Sequence, residues 1–300
     1  MRRPGGSFPP MPPRNQLPEP VVRAMDAAER LLGEPIGLDD LARAAGLSRF
    51  HFHRVFRQAV AEPAGVFVER LRLERAALLL LAGEIPITEL AWEVGFRNPE
   101  TFARRFRARF GVTARDYRRH QLELWRRMGL EAGRDPGGPG GSIEIDELPA
   151  LEIAFERTIA PLDDDDGLMF DRAATPWPEL ARVSPVLVGR TLDAPGITPP
   201  GRVRIDRGVV VESARGTPGL CRGRLARGPH AIVTIAGRGP APALVHQRLF
   251  VWALGGPYRL APGPVVEIFH EDKVLVCQPV REHFGGAAWF PSSGSRSTGR

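Results

Sequence analysis

Hydrophobic residues change their spacing once along this chain of 300 residues, close to residue 142. From Pro20 to about Met128 they recur every three to four positions, which predicts helices. Turns at glycine and proline divide this region into seven short helices, and helices set so closely predict an all-α bundle. The longest helix is predicted over residues 64–82, a length of ~28 Å at 1.5 Å per residue.

After residue 142 the apolar residues alternate with polar ones or form short runs, a pattern typical of strands. Strands are predicted around residues 143–155, 186–189, 209–211, 231–235, 265–269 and 274–276, and helices only near 167–182 and 241–254. Strands flanking two helices predict an α+β domain. Two similar strand openings, Leu148-Pro149 and Gly228-Pro229, lie about eighty residues apart, which is what a pseudo-symmetric domain would leave in its sequence.

Composition places the boundaries of this multidomain chain. Segments rich in Pro, Gly, Ser and Arg bury little apolar surface, so they favour disorder or linkers over packed structure. The predicted division is a disordered leader over 1–17, a helical domain over 18–128, a Gly/Pro linker without packing contacts over 129–141, an α+β domain over 142–283 and a disordered tail over 284–300.

The net charge of +6 lies entirely in the helical half. Residues 1–141 contain 23 arginines and 17 acidic residues, whereas the remainder of the chain is neutral. A basic domain joined to a neutral one is the pattern of a nucleic-acid-binding protein, although a solvated basic surface without a partner has the same composition.

Several classes of site are not expected. Cys221 and Cys277 are 56 residues apart and form no CxxC pair, so neither a zinc site nor a disulfide framework is predicted. The chain contains no long apolar run and no signal peptide, which predicts a cytoplasmic protein without a membrane partner. No cofactor, metal site or catalytic residue is predicted.

A small residue followed by a glycine marks a sharp turn between two helices, and the first copy lies at residues 42–46. Ala42 is placed where two helices must touch, Gly46 supplies the positive φ that the turn needs, and Ser48 is predicted to cap the next helix. A single copy is weak evidence, because helical hairpins use the same pattern for packing alone.

The same turn recurs 49 residues later, at Ala91 and Gly95, with Asn98 as the predicted cap and Pro99 at the first helical position. Each copy is followed by an arginine-bearing helix whose phenylalanines share one face. The opposite faces would enter the major groove of DNA. They carry Arg49, Phe50, His53, Arg54 and Arg57 in the first helix and Arg97, Glu100, Thr101, Arg104, Arg105 and Arg107 in the second.

Residues 20–125 resemble the tandem helix-turn-helix domain of the AraC/XylS family of bacterial transcription regulators. The most specific match is the second half, over residues 87–96, 102–114 and 117–119, where Ala114 replaces the proline usual in the family. The resemblance implies that two recognition helices enter successive major grooves of double-stranded DNA. It assigns base-edge contacts to Arg49, Phe50, His53, Arg54, Asn98, Glu100, Thr101 and Arg104.

These residues differ in what they can recognise. Arginine can bind guanine O6 and N7 with two hydrogen bonds, whereas Asn and Thr more often contact phosphates or a single base edge. Phe50 could contact a thymine methyl group or pack against its own domain, and His53 could donate to a phosphate. Glu100 could accept from cytosine or only offset the helix dipole.

Residues 142–281 resemble a GyrI-like effector-binding domain, on the segments 143–150, 197–206, 264–269 and 278–280. The resemblance implies two βαββ halves around a cleft that binds amphipathic or cationic compounds through aromatic walls and a buried carboxylate. The implied carboxylate is Glu267, although its alternation with apolar neighbours also fits a solvent-facing strand. The candidate walls are Phe170, Trp177, Trp252, Tyr258 and Phe269. Leu275 stands where related domains often carry a second Glu.

The sequence therefore favours a regulator of transcription whose neutral domain senses a small molecule, with RNA polymerase as a further candidate partner. Two alternatives stay open for that domain. One is a carboxylate-dependent hydrolase of reactive small molecules, for which no nucleophile and base pair is visible in the sequence. The other is an interaction module without a ligand. The oligomeric state is not predicted.

Overall fold

The structure is a computed structural model that describes residues 16–82, 85–127, 134–160, 184, 186–194, 196–199, 201–212, 219–236, 243–255, 258–261, 263–270 and 273–282. Its amino-terminal part contains seven helices within these residues. They are α1 (Glu19–Arg30), α2 (Leu38–Ala45), α3 (Arg49–Val60), α4 (Ala64–Ala82), α5 (Ile87–Glu93), α6 (Pro99–Phe110) and α7 (Ala114–Arg127). The predicted all-α region is confirmed, and α4 begins and ends at the predicted residues.

The helices form two modules that α4 joins. The first half of α4, including Phe67, packs with α1, α2 and α3 around Phe52 and Phe56. The second half packs with α5, α6 and α7 around Phe102 and Phe106. One helix therefore serves two separate hydrophobic cores.

The carboxyl-terminal part is a curled antiparallel sheet with a helix, α8 (Ala243–Gly255), on one face. The strands are β1 (Glu144–Leu148), β2 (Leu151–Ala160), β3 (Leu187–Thr191), β4 (Val203–Val210), β5 (Cys221–Leu225), β6 (Gly228–Ala236), β7 (Tyr258–Leu260), β8 (Val265–His270) and β9 (Lys273–Glu282). The sequence did not predict β5 or β7. The helix predicted over 167–182 lies outside the described residues.

The order of the strands, β1-β6-β9-β8-β3-β4-β2-β5, has two equivalent halves. Leu148 of β1 pairs with Gly228 of β6, and Leu225 of β5 pairs with Leu151 of β2, so each half contributes its first strand to the other. The halves meet at β3 and β8, where Gly189 pairs with Glu267. Such an arrangement is what a pseudo-symmetric domain would show, and the sequence repeat itself stays a prediction.

Two predicted boundaries need correction. Leu17, assigned to the disordered leader, is 3% exposed in the first core, and Gln16 bridges to Thr158 at the end of β2. The Gly/Pro stretch, expected to make no packing contacts, lies against the sheet domain from residue 134: Arg248 on α8 donates two hydrogen bonds of 2.6 Å to Asp135. The glycines also contact the sheet, since the backbone N–H of Gly141 donates a hydrogen bond of 3.0 Å to the carbonyl oxygen of Thr234. The predicted tail over 284–300 lies outside the described residues.

Buried ion pairs join the two domains. Arg157 of β2 binds Asp26 of α1 at 2.6 Å, and Arg204 of β4 binds Glu29 one turn further along α1 at 3.3 Å. Both arginines are 1% exposed, so each keeps a second, sheet-borne carboxylate partner, as a buried charge requires. The helical domain is thus anchored to the sheet through α1.

Candidate DNA-binding surface and candidate ligand site

The first helix-turn-helix unit consists of α2 and α3. Ala42 is 3% exposed at the helix contact, and Gly46 adopts φ 69°, the left-handed conformation that its turn requires. Ser48 occupies the N-cap position with an extended backbone, but its side chain makes no capping hydrogen bond. The predicted capping role of Ser48 is therefore wrong, since a serine caps only when its oxygen accepts from the first turn.

The second unit, α5 and α6, repeats this geometry with a stronger cap. Gly95 adopts φ 85°, and a Cβ at this position would lie 2.3 Å from the carbonyl oxygen of Leu32, so both conformation and space require glycine. The Asn98 side chain accepts hydrogen bonds from the backbone N–H groups of Glu100 and Thr101 at 2.7 and 3.2 Å. Asn98 is thus engaged in its own helix start.

The structure places all ten predicted DNA-contacting side chains on the outer faces of α3 and α6. Nine are exposed and Thr101 is half-buried. Phe50 is 90% exposed, which excludes the alternative that it packs within its own domain. The opposite faces are buried through Phe52, Phe56, Phe102 and Phe106, as the pattern predicted.

The outer faces of α3 and α6 are basic, and few carboxylates lie close enough to neutralise their arginines. Arg49 lies 3.4 Å from Asp39, and Arg105 lies 3.4 Å from Glu69. Both arginines and Asp39 are exposed and Glu69 is half-buried, so these pairs are weak and open to exchange. Arg54 contacts the ring of His51 at 3.1 Å. Within the described residues, Arg57, Arg104 and Arg107 form no ion pair. Such arginines can bind phosphate or a base edge without first losing a partner.

Glu267 is the most buried of the candidate ligand residues. It is 0% exposed, on the face of β8 that α8 covers, so the alternative of a solvent-facing strand residue is wrong. Its Oε1 accepts a hydrogen bond of 2.7 Å from Nε2 of His246 on α8. Its Oε2 has no hydrogen-bond partner among the described residues. A buried carboxylate with one free oxygen is a high-energy arrangement that a cationic or hydrogen-bond-donating ligand would relieve.

The candidate aromatic walls divide into three sets. Phe269 lies two residues after Glu267 on the same face of β8 and is 8% exposed. Trp252 and Tyr258 stack on each other, with ring centroids 5.9 Å apart and an interplanar angle of 21°. Phe170 and Trp177 lie outside the described residues.

His246 is the functional candidate that the sequence did not reveal. It is separated from Glu267 by 21 residues and by the end of α8, so no local spacing indicates their contact. The thiols offer no nucleophile beside this pair, because burial raises the pKa of Cys277 to about 12 and that of Cys221 to about 11.

Two further kinds of feature are absent from the described residues. None of the described helices has both the length and the apolar character needed to cross a membrane. In the same part of the chain, no three His, Cys, Asp or Glu side chains come together in a group that could hold a metal ion.

Known proteins are similar to the helical half. A helix-turn-helix domain family matches residues 41–120. The regulatory protein SoxS of Escherichia coli is 34% identical over 91 residues, which are 30% of this chain and 84% of SoxS. The transcriptional regulator Rob of Salmonella typhimurium is 33% identical over 88 residues, which are 29% of this chain and 30% of Rob.

Solved structures are similar over the same fraction of the chain. An AraC-type transcriptional regulator from Chromobacterium violaceum is 28% identical and covers 35% of this chain and 93% of its own, with a TM-score of 0.34. The DNA-binding domain of AdpA, solved in complex with a target DNA, is 26% identical and covers 37% and 96%, with the same TM-score.

Proposed function

The chain belongs to the AraC family of bacterial helix-turn-helix transcription regulators, and from that premise we propose that α3 and α6 read double-stranded DNA in successive major grooves. The observation that carries this proposal is the pair of exposed basic faces in equivalent positions of the two modules. The length of α4, ~28 Å, is close to the ~34 Å between successive major-groove faces on one side of B-DNA. A single chain can therefore read a non-palindromic site.

The ten surface residues take different roles in this proposal. Arg54 and Arg104 occupy equivalent positions in the middle of the two helices and are the proposed guanine readers. Arg49, Arg57, Arg105 and His53 contact phosphates. The exposed ring of Phe50 contacts a thymine methyl group, and Glu100 accepts from the amino group of a cytosine. Asn98 and Thr101 bring the start of α6 against the DNA backbone, where the helix dipole attracts phosphate.

The test measures the affinity of full-length Arg54→Ala and Arg104→Ala variants for a site selected from random DNA and for unrelated DNA. Each change is expected to cost ~1–3 kcal/mol on the selected site and less on unrelated DNA. Arg227→Ala is the matched control, because Arg227 is an exposed arginine of the sheet domain that pairs with the exposed Glu147. Equal losses on both DNAs would show that Arg54 and Arg104 hold phosphate and do not read bases.

For the carboxyl-terminal domain we propose a GyrI-like sensor in which Glu267 receives a small lipophilic cation. The supporting observation is the buried carboxylate whose Oε2 lacks a partner, on a strand face lined by Phe269 and covered by α8. Pairing with a ligand cation would compensate the burial of both charges, and apolar contacts would supply the rest of the affinity. RNA polymerase stays a predicted partner.

The sensor proposal is tested by titrating the full chain with a panel of lipophilic cations. Glu267→Gln is expected to abolish or strongly weaken binding, whereas Glu147→Gln, an exposed carboxylate on β1, is expected to leave it unchanged. Binding that is equal in all three proteins would contradict the role of Glu267.

The contact between His246 and Glu267 also favours a second candidate, the carboxylate-dependent hydrolase. A histidine hydrogen-bonded to a buried carboxylate is the base and orienting group of several hydrolytic sites. The two candidates differ in turnover: a sensor returns its ligand unchanged, whereas a hydrolase consumes it in a manner that His246→Ala abolishes. Mass spectrometry of the recovered ligand distinguishes them.

A further inference from the structure

The connection between β3 and β4, described at residues 192–194, 196–199, 201 and 202, contacts the ends of both recognition helices. Arg202 donates a hydrogen bond of 2.6 Å to the carbonyl oxygen of Val60, the last residue of α3. On the other side, Arg109 in the last turn of α6 donates a hydrogen bond of 3.0 Å to the carbonyl oxygen of Ile197. One loop of the sheet domain therefore touches both DNA-reading helices at their carboxyl-terminal ends.

The same connection is also attached to the middle of α4. Thr198 donates a hydrogen bond of 2.9 Å to Oε2 of Glu74, which is 5% exposed. Glu74 also binds Arg70 at 3.2 Å and Arg109 at 3.4 Å. Arg70 in turn binds Glu62, in the turn after α3, at 2.8 Å. This buried cluster lies where α4 passes from the first hydrophobic core to the second.

Such contacts matter because the two modules have separate cores. A helix fixes the distance between two modules better than their relative rotation, since long helices bend. A second contact between the modules is made at Leu32. Its carbonyl oxygen accepts a hydrogen bond from the Arg72 side chain and lies close to Gly95. The β3–β4 connection supports the modules through the ends of α3 and α6.

We propose that the β3–β4 connection is a bracket that sets the relative orientation of α3 and α6, and that Arg202 and Thr198 are positioning residues for DNA reading. Through these two residues the sheet domain determines which spacing the protein accepts between the DNA segment read by α3 and the segment read by α6. This inference rests on the proposed reading of DNA by two helices. It also gives a route from the candidate ligand site, because Gly189, paired with Glu267, lies on β3, which leads into the bracket.

The first experiment measures the orientation without DNA. Spin labels are attached at Gln58→Cys and Ala108→Cys, which are both exposed near the ends of α3 and α6. Pulsed electron paramagnetic resonance then measures the distance between the two labels in the full chain. The native Cys221 and Cys277 are buried and resist labelling. We expect a single narrow distance distribution that broadens in Arg202→Ala and in Thr198→Val but not in Arg227→Ala. An unchanged distribution in both bracket variants would overturn the proposal.

The second experiment measures affinity for the selected DNA site and for sites with one base pair inserted or deleted between its halves. One base pair shifts the second half by ~3.4 Å and rotates it by roughly 34°. Arg202→Ala is expected to reduce the preference for the original spacing by about tenfold, the change expected when a hydrogen bond with a charged donor is lost. Thermal unfolding confirms that each variant is folded, and Thr198→Val tests the bracket if Arg202→Ala is not.

The outcomes separate the bracket from the proposed function. If the unaltered protein binds no DNA sequence preferentially, the proposed function fails, while the distance measurement still decides whether the bracket orients the helices. If the protein binds a selected site and the variants keep its spacing preference, the bracket proposal is wrong and the DNA-reading proposal stands.

Discussion

Asp206 is expected to be the most sensitive buried charge in the protein. It is 1% exposed on β4, accepts hydrogen bonds of 2.6 and 2.9 Å from Arg157 and also pairs with Arg190. The change Asp206→Asn keeps the shape of the side chain and removes its charge. Among the described residues, Arg157 then keeps Asp26, which is 40% exposed, as its carboxylate partner, and Arg190 loses the carboxylate with which it pairs.

The expected cost follows from this burial. Removing one member of a buried ion pair costs about 3–5 kcal/mol, because the remaining charge stays desolvated without compensation. Asp26→Asn is the matched control. Arg157 keeps Asp206 in that variant, and an exposed partner contributes only about 1 kcal/mol. The two substitutions are chemically identical, and they compare a buried carboxylate that pairs with two arginines with a partly exposed one that pairs with Arg157.

The assay is thermal and urea unfolding of the full chain at neutral pH. For a protein of this size 1 kcal/mol shifts the melting temperature by about 2–4 °C, so Asp206→Asn should melt roughly 6–20 °C below the unaltered protein and Asp26→Asn within about 4 °C of it. Equal effects of the two variants would refute the reasoning that burial sets the cost. Combining Asp206→Asn with Arg157→Leu should recover part of the loss, since the double variant buries one fewer unpaired charge.

Three further predictions concern single side chains. Gly95→Ala should destabilise the helical domain by more than about 2 kcal/mol in chemical unfolding, because the new Cβ meets the Leu32 carbonyl oxygen at positive φ, whereas Gly111→Ala, with open space around it, should cost only about 1 kcal/mol. Asn98→Ala should cost about 1 kcal/mol and Ser48→Ala only a few tenths, because Asn98 alone makes capping hydrogen bonds; equal costs would contradict the assigned caps. The hydrogen bond from Arg248 lowers the pKa of Asp135, so its stabilisation of about 1 kcal/mol is present above the ordinary carboxyl pKa and is lost as the pH falls through the lowered value. Asp135→Asn should therefore lower the melting temperature at pH 7 and lose this effect at low pH, and an effect that persists there would exclude the ion pair as its cause.

The helical domain could be predicted closely because its determinants are local. The positive φ at Gly46 and Gly95 follows from the turn in which each lies, and the bounds of α4 follow from the proline and glycine beside it. The cap at Asn98 was also predictable, but the missing hydrogen bond of Ser48 was not, because residue type alone does not determine a side-chain rotamer.

The sheet domain was less predictable because its contacts join distant residues. Strand β5 carries arginines at positions that alternate with Cys221, Gly223 and Leu225, and its place becomes clear only once it pairs with β2 at the edge of the sheet. His246 reaches Glu267 from a different element. No local pattern indicates that the β3–β4 connection meets α3, α4 and α6, because those contacts depend on how two domains pack.

The neutral charge of the sheet domain conceals what its arginines do. Arg157 and Arg204 bind Asp26 and Glu29 of α1, and each also binds a carboxylate of its own domain, Asp206 or Asp193. Charges more than ~8 Å apart are largely screened at physiological ionic strength, so DNA responds to the local charge on α3 and α6 and not to the total of the chain. Within the described residues, Arg57, Arg104 and Arg107 of these surfaces form no ion pair, whereas Asp26 and Glu29 on α1 are paired with arginines of the sheet domain. The local charge that DNA meets therefore comes from the recognition surfaces, and the neutral total of the sheet domain neither adds to it nor opposes it.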